Sequence, residues 1–413
     1  MHARSSVAVR QRAELTFKHN RLHGRHGWLR LTPAYSVKVV EDILDAFGRD
    51  ATRVFEPFSG TGTTPLCAAY RGLSAVSSDI NPFLVWLGRV KIGSYTPRIA
   101  RALADAAETI AADLARDPAT RRGCSPPLKN IERWWDETEL RFVTALCHDV
   151  SRRRGKLGDL LRIAFCRSMI ALSNAAFNHQ SMSFKGARGR ALPPRDVWRR
   201  CVAQFRLDAG TVQESCLDNP EGAATVELSD SRAVNGHGRR AGSFDLLVTS
   251  PPYPNRMSYI RELRPYMYWL GYLEEAKQAG ELDWEAIGGT WGIATSRLTA
   301  WTPTDAFVPK YLYTILAKIR RAPAKNGELM ARYLHKYFDD MFHHFVAMRA
   351  LMKRGSSVHY IVGNASFYGH LVPAERLYAD QLERAGFKDA QATPIRKRNS
   401  KRELIEFHVR AKG

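Results

Sequence analysis

The chain has 413 residues, enough for one large domain with insertions or for two or three domains, and its 45% hydrophobic and 25% charged content is that of an ordinary globular protein. Its charge is not ordinary: 62 Lys+Arg against 41 Asp+Glu leave +21 and a pI near 9.9, which favours nucleic acid, then an anionic membrane surface, as partner. A secretory signal is excluded by the charges spread through residues 1–21, and a membrane span by the lack of any run of ~18 uncharged apolar residues.

Residues 1–26 read as a basic, solvated arm with a cluster of His19, His23 and His26; a metal site is the competing reading, but no carboxylate or cysteine adjoins the three histidines. Thr32 can cap a helix that opens with Pro33 and continues through Val37, Val40, Ile43 and Leu44, and such an N-terminus is a candidate carboxylate site. A short strand then runs into Glu56-Pro57-Phe58-Ser59-Gly60-Thr61-Gly62-Thr63, followed by a helix from Pro65 to Arg71. The glycines let the backbone pass close to a ligand, and the acid can accept from a bound ammonium. It is no phosphate loop, because the lysine after the glycine is missing, and the spacing is not that of a dinucleotide fingerprint. The next strand, Leu73 to Ser78, ends in Asp79-Ile80-Asn81-Pro82, placing an acid where Rossmann-like folds hold ribose hydroxyls; a helix-cap role is the competing reading.

From Tyr95 to Asn219 the pattern is mostly helical, with helices over Ala100–Leu114, Glu137–Val150, Leu157–Phe177 and Pro194–Cys216. The segment Asn174–Arg200 holds a basic loop that either contacts phosphates or bases or is a solvated connection. The six cysteines, Cys67, Cys124, Cys147, Cys166, Cys201 and Cys216, form no CxxC pair and no metal-ligand spacing with histidines, so reduced structural thiols are expected and a zinc site is not. The strand Ala224–Leu228 ends at Ser229-Asp230-Ser231.

The buried strand Phe244–Val248 then stops at Thr249-Ser250-Pro251-Pro252-Tyr253. Two prolines fix two φ angles and remove two N–H donors, so the carbonyls before and between them are rigid and unshared. A hydroxyl and an aromatic ring beside them complete a small platform at a strand's C-terminal end, suited to an exocyclic amine on a flat base. Ser125-Pro126-Pro127-Leu128 has no such strand or ring. Residues 262–334 are dense in Trp, Tyr, Lys and Arg, as unstacked bases and phosphates would require, although Tyr266, Trp269 and Leu270 fall at core-helix spacing. The last block reads as a helix over Tyr337–Met352, a strand over Val358–Gly363, a helix over Val372–Ala385 and two strands joined by the basic turn Arg396–Arg402. The pair His343-His344 reads as packing or surface.

Taken together, these residues resemble S-adenosylmethionine-dependent amino-methyltransferases that modify DNA bases. Glu56-Pro57-Phe58-Ser59-Gly60-Thr61-Gly62-Thr63 is similar to the family's cofactor motif D-P-F-x-G-x-G-T, with Glu in place of the usual Asp, and Ser250-Pro251-Pro252-Tyr253 is similar to its catalytic motif [DNS]-P-P-[YFW]. The resemblance implies an α/β, Rossmann-like seven-stranded methyltransferase sheet built from residues 27–94, 221–261 and 335–413. Residues 95–220 would be a helical insertion and 262–334 a second, recognition-type insertion. It implies S-adenosylmethionine as cofactor, held by Thr32, Glu56, Pro57, Phe58, Gly60, Gly62, Asp79, Asn81 and Asp230, the last at the adenine amino group or else in a turn. Ser250, Pro251, Pro252 and Tyr253 would be catalytic.

Acceptors from Ser250 and the Pro251 carbonyl would hold the two amine protons while Tyr253 stacks on a base flipped out of double-stranded DNA. Ser at the first motif position leans toward N4 of cytosine, with N6 of adenine as the alternative. A cytoplasmic, nucleoid-associated protein of a restriction-modification or phage-defence system, with a cognate endonuclease, is implied by resemblance alone. An RNA amino-methyltransferase and a non-catalytic nucleic-acid-binding module are the rivals.

Overall fold

A computed structural model describes residues 9–31, 34–116, 123, 125–176, 183–185, 192–233, 240–255, 258–289, 293–398 and 403–413. The first half of the chain alternates helix and strand: α1 (Val37–Phe47), β1 (Arg53–Glu56), α2 (Thr63–Tyr70), β2 (Ser74–Asp79) and α3 (Pro82–Ile92). Four helices follow, α4 (Pro97–Arg116), α5 (Glu137–Ser151), α6 (Gly155–Ala171) and α7 (Pro194–Cys216). The chain returns to the sheet with β3 (Ala224–Leu228) and β4 (Phe244–Thr249), then leaves it for α8 (Tyr259–Trp269), α9 (Ala276–Glu285), α10 (Ile293–Ala300), α11 (Lys310–Arg320) and α12 (Gly327–Leu351). It closes with β5 (Met352–Gly363), α13 (Ala374–Arg384), β6 (Lys388–Lys397) and β7 (Ile405–Lys412).

The seven strands stand in the order β6-β7-β5-β4-β1-β2-β3, parallel except for β7, which runs antiparallel to both its neighbours. This is the Rossmann-like sheet expected from the two motifs. Strand β1 pairs on one side with β2 (Phe55 opposite Val76) and on the other with β4 (Phe55 opposite Leu247). The order therefore reverses between β1 and β4, and a crevice opens at the carboxyl ends of those strands.

Central strands read as apolar runs because both faces are covered. Val54, Leu246, Val248 and Ile361 pack under α1 and α2 with Val40, Ile43, Leu44 and Cys67. Their neighbours Phe55, Phe244 and Leu247 face the other way, onto α12 and α13 with Phe338, Phe345 and Tyr378. A separate core joins α4–α7 to Trp28, Phe83 and Leu87.

Several expectations are corrected. Helix α1 begins at Val37 and is capped by Ser36, whose hydroxyl accepts from the Lys38 N–H, so neither Thr32 nor Pro33 opens it; Thr32 itself lies outside the described residues. Helix α6 ends at Ala171, six residues before the expected Phe177, and α12 starts at Gly327, ten before the expected Tyr337. The solvated arm is not what forms at residues 13–26. Arg25 is fully buried and donates to the carbonyls of Lys91, Gly93 and Cys216 and to the Asn219 side chain.

Residues 262–334 do not make one separate unit: Leu263, Tyr266 and Trp269 complete the helical-insertion core, while Leu312, Leu316 and Ile319 join the sheet core. Most of the described aromatic rings in that segment are therefore packing. Among the described residues no helix is long and apolar enough to cross a membrane.

Candidate active site

A cavity of about 590 Å³ lies at the carboxyl ends of β1–β4. Its wall brings together Pro57, Phe58, Ser59, Gly60 and Thr61 after β1, Asp79 and Asn81 after β2, Asp230 after β3, and Ser250, Pro251, Pro252 and Tyr253 after β4. Ten of the sequence-derived site residues thus share one space. Two more, Glu56 and Gly62, stand behind the wall. Leu15, Phe17 and Lys18 from the N-terminal segment, and Arg396, Lys397, Arg398 and Glu406 from the last hairpin, complete it.

The loop after β1 is shaped by its glycines. Gly60 and Gly62 both take left-handed backbone, at φ 50° and 74°, where a side chain is strained. The Gly60 N–H donates to the Asp79 carboxylate at 2.9 Å, tying the loop to the next strand. Gly62 caps α2 and lets it approach α3: a Cβ there would sit 3.2 Å from the Gly88 Cα. The Ser59 hydroxyl is buried at the wall with no hydrogen-bond partner among the described residues. Beneath the loop, fully buried Lys91 donates to the Thr61 carbonyl at 2.9 Å and the His26 carbonyl at 3.3 Å, and burial pushes its amine down to about 7. Lys91 was missed in the sequence, where its only signal is a lysine between Val90 and Ile92.

The three strand-end acids sit in different surroundings. Glu56 is buried, and its oxygens accept from the hydroxyls of Tyr35 (2.7 Å) and Thr249 and from the Phe58 N–H. Burial pushes its carboxyl up to about 7 despite these donors. Asp79 is half-buried at the cavity and accepts one N–H on each oxygen, from Gly60 and from Asn81. Burial lifts it to about 6. Asn81, not Asp79, is the cap of α3, accepting from the Phe83 N–H at 3.0 Å. At Asp230 burial works to raise the carboxyl, but Arg232 outweighs it and holds it below the usual carboxylate range. The guanidinium grips both oxygens and also reaches Asp340.

The platform after β4 is held from a distance in sequence. The Ser250 hydroxyl donates to the Ile361 carbonyl at 3.1 Å. The Tyr253 hydroxyl is a second acceptor at 3.4 Å, its own proton going to Glu406, so the Ser250 proton is given to one of these two and the lone pairs remain as acceptors. The Pro252 carbonyl accepts from Tyr337 at 2.6 Å, and the Tyr253 N–H donates to the Tyr259 hydroxyl at 3.0 Å. The Tyr253 hydroxyl donates to Glu406 at 2.9 Å, itself clasped by both branches of Arg396, and the Arg398 guanidinium lies 4.9 Å from the ring centroid. Sequence reasoning missed Glu406, Arg396 and Arg398 as site residues, seeing only a basic turn. His344 packs at the back: its ring lies 4.9 Å from Phe58, it contacts the Tyr360 hydroxyl, and burial drops it to about 3, so it is neutral. The basic-loop positions 177–182 and 186–191 lie outside the described residues.

No protein-family model matches the chain. Among curated proteins it is similar to the Type II methyltransferase M.BsoBI of Geobacillus stearothermophilus, 21% identical over 454 residues, spanning 98% of this chain and 87% of that protein. Among solved structures, TrmN from Thermus thermophilus aligns at 11% identity with a TM-score of 0.29, over 97% of this chain and 53% of the other, about half its length. An overlap so low carries no weight for fold or function. Near-full-length similarity to a curated methyltransferase, on a seven-stranded and mostly parallel sheet, supports a methyltransferase of the S-adenosylmethionine-dependent type.

Proposed function

We propose that the protein methylates the exocyclic amine of a base flipped out of double-stranded DNA, most specifically N4 of cytosine, with S-adenosylmethionine as donor. The observation that carries this reading is the state of Ser250: its proton goes to the Ile361 carbonyl or the Tyr253 hydroxyl, which leaves its oxygen at the cavity wall as an acceptor for an amine. An amine on cytosine or adenine is a weak nucleophile because its lone pair is delocalised into the ring. Acceptors at Ser250 and the Pro251 carbonyl draw its two protons out of the ring plane and free the lone pair for attack. Tyr253 offers the stacking surface for the flipped base. Fixed acceptors and a fixed ring act through proximity and preorganisation.

The residues at the other half of the cavity suit the cofactor. The left-handed Gly60, the unpartnered Ser59 hydroxyl and the Asp79 carboxylate form a polar cradle for a nucleoside, with Asp79 keeping a free lone pair on each oxygen for ribose hydroxyls. When bound, S-adenosylmethionine supplies an electrophilic methyl group on a sulfonium. Glu56 acts as framework here, since Tyr35 and Thr249 already engage it, and Asp230 would meet the adenine while paired to Arg232. The Type II relative supports a restriction-modification setting, in which a cognate endonuclease would be the partner. The +21 charge supports a DNA substrate.

Nucleoside mass spectrometry on DNA from cells expressing the chain, or its Tyr253→Ala variant, tests the reading. N4-methylcytosine with the native chain and none with the variant is expected. N6-methyladenine would overturn the choice of base. No methylated DNA base, with cofactor bound in calorimetry, would redirect the search to RNA.

A further inference from the structure

We infer that Arg398 is a specificity-determining residue that reads the acceptor edge of the flipped cytosine; this rests on the proposed cytosine-N4 reading. Arg398 follows β6 and is held in a built slot. Its Nη1 donates to the Asn364 carbonyl at 2.9 Å, and its backbone N–H donates to the Leu404 carbonyl at 2.8 Å. The slot exists because position 363 is glycine: a Cβ there would come within 2.8 Å of the guanidinium carbon. The guanidinium lies against the Tyr253 ring and lines the same cavity as Ser250 and Pro251.

Chemistry selects the ligand. A guanidinium carries five N–H donors and no acceptor, and one donation to Asn364 leaves others for the cavity. Beyond its amine, cytosine presents two adjacent acceptors, N3 and O2, a match for the planar fork of an arginine. Adenine presents N1 and then a carbon-bound hydrogen, which would face a donor. With the amine on Ser250 and the Pro251 carbonyl, and the ring on Tyr253, Arg398 supplies the remaining recognition on the pyrimidine edge. Arg396, two residues earlier, is already committed to Glu406.

The test begins with the native chain: N4-methylcytosine in expressing cells keeps the underlying reading, whereas N6-methyladenine removes that reading and this one together. Given N4-methylcytosine, Arg398→Ala, Arg398→Lys and Gly363→Ala are assayed on plasmid DNA from cells lacking the chain. Each should lower kcat about 10- to 100-fold, the range for a lost charge-assisted hydrogen bond. Affinities for S-adenosylmethionine and DNA should stay within about threefold, and the salt dependence of DNA binding should not change. Rescue by lysine, or a salt slope lowered by about one in Arg398→Ala, would make Arg398 a phosphate contact and overturn the inference. Full activity in Arg398→Ala would overturn it as well. Should Arg398→Ala lose cofactor binding and thermal stability, Gly363→Ala decides, because it displaces the guanidinium with the arginine still present: a selective kcat loss supports the inference and native kcat sinks it.

Discussion

The two halves of the cavity are built by opposite means. The half proposed for the cofactor is supported mostly by its own neighbourhood: Gly60 ties to Asp79, Ser59 to the Ser78 carbonyl, and Asn81 caps the helix that follows it. The half proposed to be catalytic is supported from far along the chain, Ser250 by Ile361, Pro252 by Tyr337 and Tyr253 by Glu406. A glycine loop between a strand and a helix specifies most of its geometry locally. Ser-Pro-Pro-Tyr specifies only the rigid carbonyls, and the direction of its hydroxyl and ring is imposed by β5, α12 and the last hairpin. Damage to the first half should therefore appear as lost cofactor affinity, and damage to the second as lost turnover.

Tyr253→Ala should break the second half most severely, with kcat down by at least about 100-fold while calorimetry still finds native S-adenosylmethionine affinity. Lost cofactor binding in that variant would mean that the halves are one structural unit. Asp79→Ala should weaken S-adenosylmethionine about 10- to 100-fold, since it removes a charged acceptor and releases the Gly60 N–H; unchanged affinity would take Asp79 out of the cofactor site. Glu406→Gln sharpens the contrast at smaller scale. It keeps an acceptor for Tyr253 but loses the bidentate Arg396 pair, so kcat should fall about 10-fold with cofactor affinity intact, and a variant as fast as the native chain would show that Tyr253 needs no outside support.

That contrast also explains what could be read from the sequence. The sheet, its strand ends and ten residues of the cavity wall were legible because each lies in a short window with its own signal: an apolar run, then a glycine pair, an acid or a proline pair. Arg396, Arg398 and Glu406 were not, because a basic turn by itself says nothing of Tyr253; only the pairing of β7 with β5, which sets Glu406 opposite Gly363, brings them to Tyr253. The basic arm was misread for the same reason, its Arg25 being satisfied by carbonyls near positions 91 and 216 that no local pattern announces. In the aromatic segment after Tyr253 composition does not tell a ring in a core from a ring facing a base; the helical spacing of Tyr266 and Trp269 is what marked those two as packing.

Glu56 and Asp79 carry the contrast down to single acids on adjacent strands. Both are raised by burial, Glu56 to about 7 and Asp79 to about 6, yet only Asp79 reaches the cavity. The carboxyl of Glu56 is ordinary in the unfolded chain, at 4.5, and raised in the fold. The fold thus prefers its protonated form. The stability from that preference is fully present below pH 4.5 and is lost as pH climbs through about 7.

Glu56→Gln removes the titration while keeping the size and one acceptor. The full linkage would be on the order of 3 kcal/mol above both values. A glutamine amide must, however, point its NH₂ at Tyr35 or Thr249, so one hydroxyl has to turn and accept. The net expectation is a variant about equal to the native chain in urea at pH 4.5 and more stable by ~1 kcal/mol at pH 8.5. Cofactor affinity should stay within about threefold, as for a residue behind the wall. A variant destabilised equally at both pH values would mean that Glu56 is ionised in the fold at no cost. Cofactor affinity falling as far as in Asp79→Ala would return Glu56 to the site.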